Sequence, residues 1–188
     1  DDAPTVIHIA RGFLAGDDHA VDLVAEGFDA AIGGGFDLSS GVVARELASP
    51  AYLQPHGEPR TPAELSEHAG ILILSPQTGR VRPWMLRNPA GEQAAIELQL
   101  RMTLGDPEAA CLAAQQGLDI TLVSAAHALP YLRSGALQRV LPNWYVDSGV
   151  ISIYFAGHPL LPQKTRVFVD FIVEQFRRQG LAEQFSAH

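Results

Sequence analysis

Apolar residues in this chain form short runs that alternate with segments of helical spacing. Residues 5–9 are rich in β-branched side chains and predict a strand, residues 20–26 predict a short helix that ends at Gly27, and residues 28–32 predict a second strand. A strand, a helix and a strand within about 30 residues are typical of a parallel βαβ unit with a right-handed crossover. The first part of the chain therefore predicts parallel strands.

The same alternation continues to the end of the chain. Further strands are predicted at residues 42–47, 71–74, 84–86, 96–102, 118–123 and 150–155. Further helices are predicted from residue 61, from Pro107 behind the capping residue Asp106, over residues 125–132, and over residues 163–178. The last helix is expected to bury one stripe of Phe168, Phe171, Ile172 and Phe176. Alternating strands and helices predict a layered α/β fold.

The composition fits a folded protein and limits the classes of partner that it is expected to bind. With 188 residues, 47% of them apolar, the chain is long enough for one domain or two small lobes. Its net charge is −8 and its 13 Lys and Arg residues are scattered, so the chain alone is not expected to bind nucleic acid.

No apolar run reaches the roughly 18 residues of a membrane span, and no signal peptide is visible. This predicts a cytoplasmic protein that does not enter a membrane, unless its start has been trimmed.

Candidate catalytic and metal-binding residues do not form a recognisable set. The single cysteine, Cys111, lies in an apolar run and predicts a buried side chain rather than a disulfide or a zinc ligand. The seven histidines lack H-x-x-x-H spacing, and Ser124 is not in a G-x-S-x-G turn. Residues 33–35 are three glycines after a strand, but they lack a phosphate-binding pattern and predict a tight turn or a flexible loop. We therefore expect no enzyme activity, no metal and no cofactor.

A ligand site is predicted where strands run into helices. In open α/β sheets, ligands bind beyond the carboxyl ends of strands, where helix N-termini favour an anionic or polar group. Residues 33–36 and 103–106 are two such turns. As an alternative, Asp106 only caps its own helix, and its carboxylate would then repel an anion. The predicted ligand-binding residues are Gly33, Gly34, Phe36, Ser75, Thr78, Thr103, Leu104, Gly105, Asp106 and Ser124.

Several segments, in order, resemble one known family. They include residues 21–32, residues 40–47, the run Ser49-Pro50-Ala51-Tyr52-Leu53, and residues 56–59, 61–65, 117–122, 134–144 and 168–171. Together they cover nearly the whole chain and resemble the effector-binding domain of LysR-type transcriptional regulators. Each segment is weak by itself, and the resemblance depends on their order.

The resemblance implies a periplasmic-binding-protein-like (type 2) α/β fold of two lobes joined by two crossing segments. Lobe I would comprise residues 1–47 and 150–188, lobe II residues 48–149, and a small-molecule effector would bind in the cleft between them. It also implies a homodimer that becomes a tetramer at full length, with DNA bound only through an N-terminal winged helix-turn-helix that this chain lacks. The alternatives are a solute-binding protein that serves a transporter and, as a third reading, an enzyme of the same architecture.

The chain departs from the family pattern at several points. The family's first strand and helix would precede Asp1, and a strand usually separates the segments that here end at Leu47 and begin at Ser49. Either the protein has lost that strand, or the residues that form it are missing from this sequence. The family often has Arg, Gly and Pro at the positions of Gly33, Asp119 and Ser124, and these changes fall near the expected cleft.

Overall fold

The chain divides into two compact units in a computed structural model that describes residues 9–11, 30–34, 41–74, 79–81, 84–96, 98–155 and 162–186. One unit contains residues 1–42 and 148–186, and the other contains residues 43–147. The chain therefore passes from one unit to the other between Val42 and Val43, and again between Asp147 and Ser148.

The described elements alternate between strands and helices. The strands are β1 (Ile9–Arg11), β2 (Ala30–Gly34), β3 (Gly41–Ala48), β4 (Ala69–Ile73), β5 (Trp84–Arg87), β6 (Gln93–Ile96), β7 (Gln99–Leu104), β8 (Ile120–Ser124), β9 (Gln138–Arg139) and β10 (Val146–Phe155). The α-helices are α1 (Pro50–His56), α2 (Pro107–Gln115), α3 (Ala125–Ser134), α4 (Gln163–Arg178) and α5 (Leu181–Phe185), and Pro62–Glu67 form a 3₁₀ helix.

The first unit contains β1, β2, most of β10 and the two C-terminal helices. β1 and β2 pair in parallel, as the predicted βαβ unit requires, and β10 pairs antiparallel to β2. The predicted helix at residues 20–26 lies outside the described residues. Of the stripe predicted for α4, Phe168, Ile172 and Phe176 are half-buried, whereas Phe171 is 56% exposed, so its predicted burial is wrong.

The second unit is built on one sheet in the order β3-β8-β4-β7, with β9 paired beside the end of β3. β4 pairs in parallel with both β7 and β8, while β3 runs antiparallel to β8. A separate hairpin of β5 and β6 closes through a turn in which the Asn88 side chain bonds both the backbone and the carboxylate of Glu92.

Both faces of this sheet are buried, because consecutive strand residues belong to different core clusters. Leu47, Ile71 and Val123 pack against α2 and α3, next to Cys111, which is buried as predicted. Their neighbours Ala48, Leu72 and Leu122 belong to the cluster of α1, the 3₁₀ helix and the hairpin. A sheet covered on both faces needs nearly continuous apolar strands, which is why the sequence shows apolar runs rather than strict alternation.

The predicted boundaries are partly wrong around residues 61–65 and 96–102. The helix that starts behind Thr61 is 3₁₀ rather than α-helical, and residues 96–102 belong to two strands, β6 and β7, rather than one. Residues 49–53 begin helix α1, with the Ser49 side chain accepting a hydrogen bond from the Tyr52 N–H at 3.2 Å. β3 runs to Ala48, next to this cap, so no further strand lies between Leu47 and Ser49 in this chain.

Replacing Leu65 by Ala should destabilise the second unit strongly. Leu65 is fully buried in the 3₁₀ helix, so the change removes apolar contacts and leaves a cavity that costs about 2–5 kcal/mol. Leu100→Ala on strand β7 is the matched control, since Leu100 is 60% exposed and its loss should change the free energy of unfolding by less than about 0.5 kcal/mol. Urea unfolding followed by circular dichroism measures both. Equal losses for the two variants would contradict this description of the core.

Candidate functional site

The carboxyl ends of three parallel strands meet at one edge of the second unit's sheet. β4 lies between β7 and β8, and these strands end at Ile73, Leu104 and Ser124. Just beyond β4, the Leu74 N–H donates to the Leu104 carbonyl at 2.9 Å, so the ends stay in register. Helices α2 and α3 begin at this edge, and we define it as the carboxyl edge.

The end of β7 and the turn after it supply four of the predicted site residues at the carboxyl edge. Thr103, Gly105 and Asp106 are exposed, and Leu104 is half-buried. A Cβ placed on Gly105 would meet nothing within 4 Å, so there is open space beside this backbone. Asp106 caps α2 by accepting a hydrogen bond from the Glu108 N–H at 3.1 Å. The capping role of Asp106 is thus confirmed, and ligand contact at this turn stays a prediction.

Ser124 begins α3 at the same edge without capping it. Its side chain makes no cap bond to the helix backbone, and its Oγ instead lies 2.8 Å from Nδ1 of His127. The first turn of α3 contains no acidic residue. The positive end of this helix therefore has no carboxylate beside it from its own first turn, in contrast to α2 with Asp106 and Glu108.

The sequence did not reveal a hydrogen bond that connects the two helices. The Tyr131 hydroxyl of α3 donates to Glu108 Oε1 of α2 at 2.6 Å, and this bond raises the pKa of Tyr131 to about 12. The two residues are 23 positions apart, so spacing carries no signal for the pair. His127 was missed as a partner of Ser124, although a separation of three residues across a helix start could have suggested it.

The remaining predicted site residues are not joined to the carboxyl edge by any described contact. Gly33 and Gly34 belong to the first unit, where they continue β2 and pair with Ser152 and Ile151 of β10. They are therefore strand residues rather than the predicted turn, because β10 supplies a partner for their backbone. Phe36, Ser75 and Thr78 lie outside the described residues.

Among the described residues, no group of three or more His, Cys, Asp and Glu side chains is arranged to hold a metal ion. Likewise, none of the helices described is both long enough and apolar enough to span a bilayer.

Two α/β units, connected by two passages of one chain and built on mixed sheets, define a periplasmic-binding-protein-like fold of type 2. The family model described as LysR substrate binding domain matches residues 13–177, and the chain belongs to this family. The resemblance read from the ordered segments is thus confirmed.

Relatives and solved structures agree with this assignment. The chain is 29% identical to an HTH-type transcriptional repressor of Pseudomonas aeruginosa, over 87% of this chain and 54% of the relative. It is 28% identical to the HTH-type transcriptional regulator DmlR of Escherichia coli, over 93% of this chain and 60% of that protein. The chain therefore spans about half the length of such relatives.

Among solved structures, the regulatory domain of AphB from Vibrio vulnificus superposes with a TM-score of 0.67 at 25% identity, covering 79% of this chain and 76% of that one. Full-length AphB of Vibrio cholerae, described as a virulence activator, gives a TM-score of 0.68 at 27% identity, covering 85% and 56%. These likenesses identify the chain as an effector-binding regulatory domain and favour a regulator over a transporter's solute-binding protein.

Two substitutions of Asp106 should separate its capping role from its charge. Asp106→Ala removes the acceptor for the Glu108 N–H and should lower the free energy of unfolding by about 1 kcal/mol. Asp106→Asn keeps a side-chain acceptor, and it should stay close to the original stability because Asn caps helices about as well as Asp. Chemical unfolding of both variants at neutral pH is the measurement. A loss as large for Asn as for Ala would show that the carboxylate charge, and not the cap, stabilises the start of α2.

Proposed function

We propose that this chain is the sensing part of a LysR-type transcription regulator and binds a small polar or anionic effector at the carboxyl edge. The single observation that carries the location is the arrangement of β4, β7 and β8, whose ends place two helix starts at one edge of the sheet. β7 and β8 are two strand spacings apart, about 10 Å, which a small molecule can bridge.

The two helix starts suit different parts of such an effector. At α2, the Asp106 carboxylate and Glu108 already offset the positive helix end, so this side favours a hydroxyl or another neutral donor. At α3, Ser124 and the backbone N–H groups have no acidic neighbour in the first turn, so this side favours an anionic group. Gly105 lies beside open space, so a ligand has room to contact the protein backbone at this position.

The rest of the regulator follows from the family. The chain would work in the cytoplasm as a homodimer, or as a tetramer at full length, without enzyme activity. DNA would be bound by a winged helix-turn-helix that is not part of these 188 residues, which suits their net charge of −8. The effector would act by binding one arrangement of the domain more tightly than another. Lobe I (residues 1–47 and 150–188) and lobe II (residues 48–149) would correspond to the two compact units, whose boundaries are 42/43 and 147/148.

Gly105→Leu should abolish effector binding without unfolding the domain. The position has room for a side chain and is not among the glycines with positive φ, so the new side chain adds no backbone strain and occupies the predicted ligand space. Ala90→Leu, at an exposed turn of the β5–β6 hairpin, is the matched control. We would screen monocarboxylates, dicarboxylates and neutral sugars for compounds that raise the unfolding midpoint, since a ligand at 100 times its Kd stabilises by about 2.7 kcal/mol.

The expected result is a compound that stabilises the unchanged domain and the Ala90→Leu variant but not the Gly105→Leu variant. Calorimetric titration would then give the loss of affinity directly. A hit that binds the Gly105→Leu variant with unchanged affinity would place the effector away from this edge. A screen in which no compound changes the domain's stability would count against small-molecule sensing by this chain.

A further inference from the structure

A glutamate on strand β3 of the second unit is buried without a hydrogen-bond partner among the described residues. The Glu46 side chain on β3 is 0% exposed, and neither of its oxygens has a hydrogen-bond partner among the described residues. Removal from water disfavours the charged form, and this raises the pKa of Glu46 from 4.5 to about 8, against the opposing effects of its own backbone N–H, of Arg45 and of Arg139. Near neutral pH, Glu46 therefore holds a proton that an ordinary glutamate has lost.

The charged groups around Glu46 come from two strands. Arg45 is its neighbour on β3, and Arg139 comes from β9, which pairs beside β3. On β8 the residue opposite Glu46 is Leu122, which carries no charge. The Glu46 backbone is well held, since its carbonyl accepts from the Val140 N–H at 2.9 Å. The unmet bonding capacity thus belongs to the side chain alone.

Both arginines donate hydrogen bonds to backbone carbonyls of residues 142–144, which follow β9 and which we call the held segment. Arg45 donates to the Trp144 carbonyl at 3.2 Å, and Arg139 donates to the Pro142 carbonyl. The Nε of Arg139 is buried and has no partner among the described residues. Between these carbonyls and β9 lies Leu141, which is buried and has a φ of 54°, a left-handed backbone conformation that is strained for leucine. The bond from Arg139 therefore holds a strained turn in place.

This group of residues lies close in sequence to both passages between the units. Glu46 is three residues after Val43, where β3 enters the second unit. The held segment that these two arginines bond, residues 142–144, ends shortly before Asp147, where β10 leaves that unit. A change in the hydrogen bonds of Arg139 would therefore alter the chain close to the two points where it crosses between the units. Any rearrangement of the units has to bend the chain at those points.

We propose that Glu46 is a proton-binding switch that decides whether Arg139 holds the turn at Leu141. With its proton, Glu46 is neutral, and Arg139 stays on the Pro142 carbonyl. When the proton passes to solvent, the buried carboxylate attracts Arg139, whose unpartnered Nε can turn to it, and the turn at Leu141 is released. The regulatory domain would then respond to alkaline conditions independently of its effector.

The direction of the pH effect follows from the raised pKa of Glu46. The folded domain binds this proton more tightly than the unfolded chain does, where the carboxyl titrates near 4.5. The contribution of Glu46 to stability is therefore complete below about pH 4.5 and is lost as the pH rises through about 8. Glu46→Gln, which is neutral at every pH, should match the original domain at low pH and become the more stable of the two above pH 8.

The test uses the whole chain and measures two things separately: the protonation of the Glu46 carboxyl group and the conformation of the segment around Leu141. Side-chain ¹³C-carboxyl NMR of glutamate-labelled domain reports the protonation of Glu46, assigned by the signal that Glu46→Gln removes. In a Trp84→Phe background, Trp144 is the single tryptophan, and its fluorescence reports on the held segment. Glu58→Gln, at an exposed position, is the matched control.

We expect the Glu46 carboxyl to titrate well above the other glutamates and the Trp144 signal to change over the same pH range. Glu46→Gln should abolish that change and Glu58→Gln should keep it. Arg139→Gln removes a charge that favours the carboxylate, so it should move the carboxyl midpoint to higher pH. A carboxyl that titrates with the exposed glutamates, or a Trp144 transition that persists in Glu46→Gln, would overturn the proposal. The carboxyl measurement on the unchanged chain keeps the test decisive even if a variant fails to fold.

Discussion

Burial of both faces of one sheet is the constraint on which the second unit depends. Each strand must present apolar side chains in two directions, so α2 and α3 cover one face while α1, the 3₁₀ helix and the hairpin cover the other. A register shift by one residue would exchange the two sets of side chains, and this fixes where each strand ends. The carboxyl edge is a direct result, because fixed strand ends also fix the starts of the helices that follow them.

The same constraint explains why β3 is unusual. Charged residues in a strand with two buried faces must either find partners or give up their charge. Arg45 does the first, through the Trp144 carbonyl and the ring of Tyr145, whose centre lies 5.5 Å away. Glu46 does the second. β3 ends at Ala48, directly before Ser49, which caps α1, so both residues lie on a strand that is held at its end by the next helix.

The proposed site and the proposed switch use the sheet in different ways. The carboxyl edge offers polar groups and backbone N–H donors at its exposed rim, where an effector can exchange with water. Glu46 lies inside the sheet, where only a proton needs to enter or leave. An effector and a proton could thus act on one domain through separate groups. Their effects would be coupled only if both favour the same arrangement of the chain near its two passages.

The sequence by itself determined the family, the α/β class and most element positions, because caps, glycine stops and apolar runs are local signals. Asp106 before Pro107 and Gly135 after α3 show this, and Gly135 does adopt a left-handed φ of 73°. Only the tertiary structure decided that Gly33 and Gly34 continue a strand, that Tyr131 bonds Glu108, and that Glu46 is buried without a partner. Each of these depends on a neighbour distant in the chain, and no local pattern records which strand or helix will lie beside a residue.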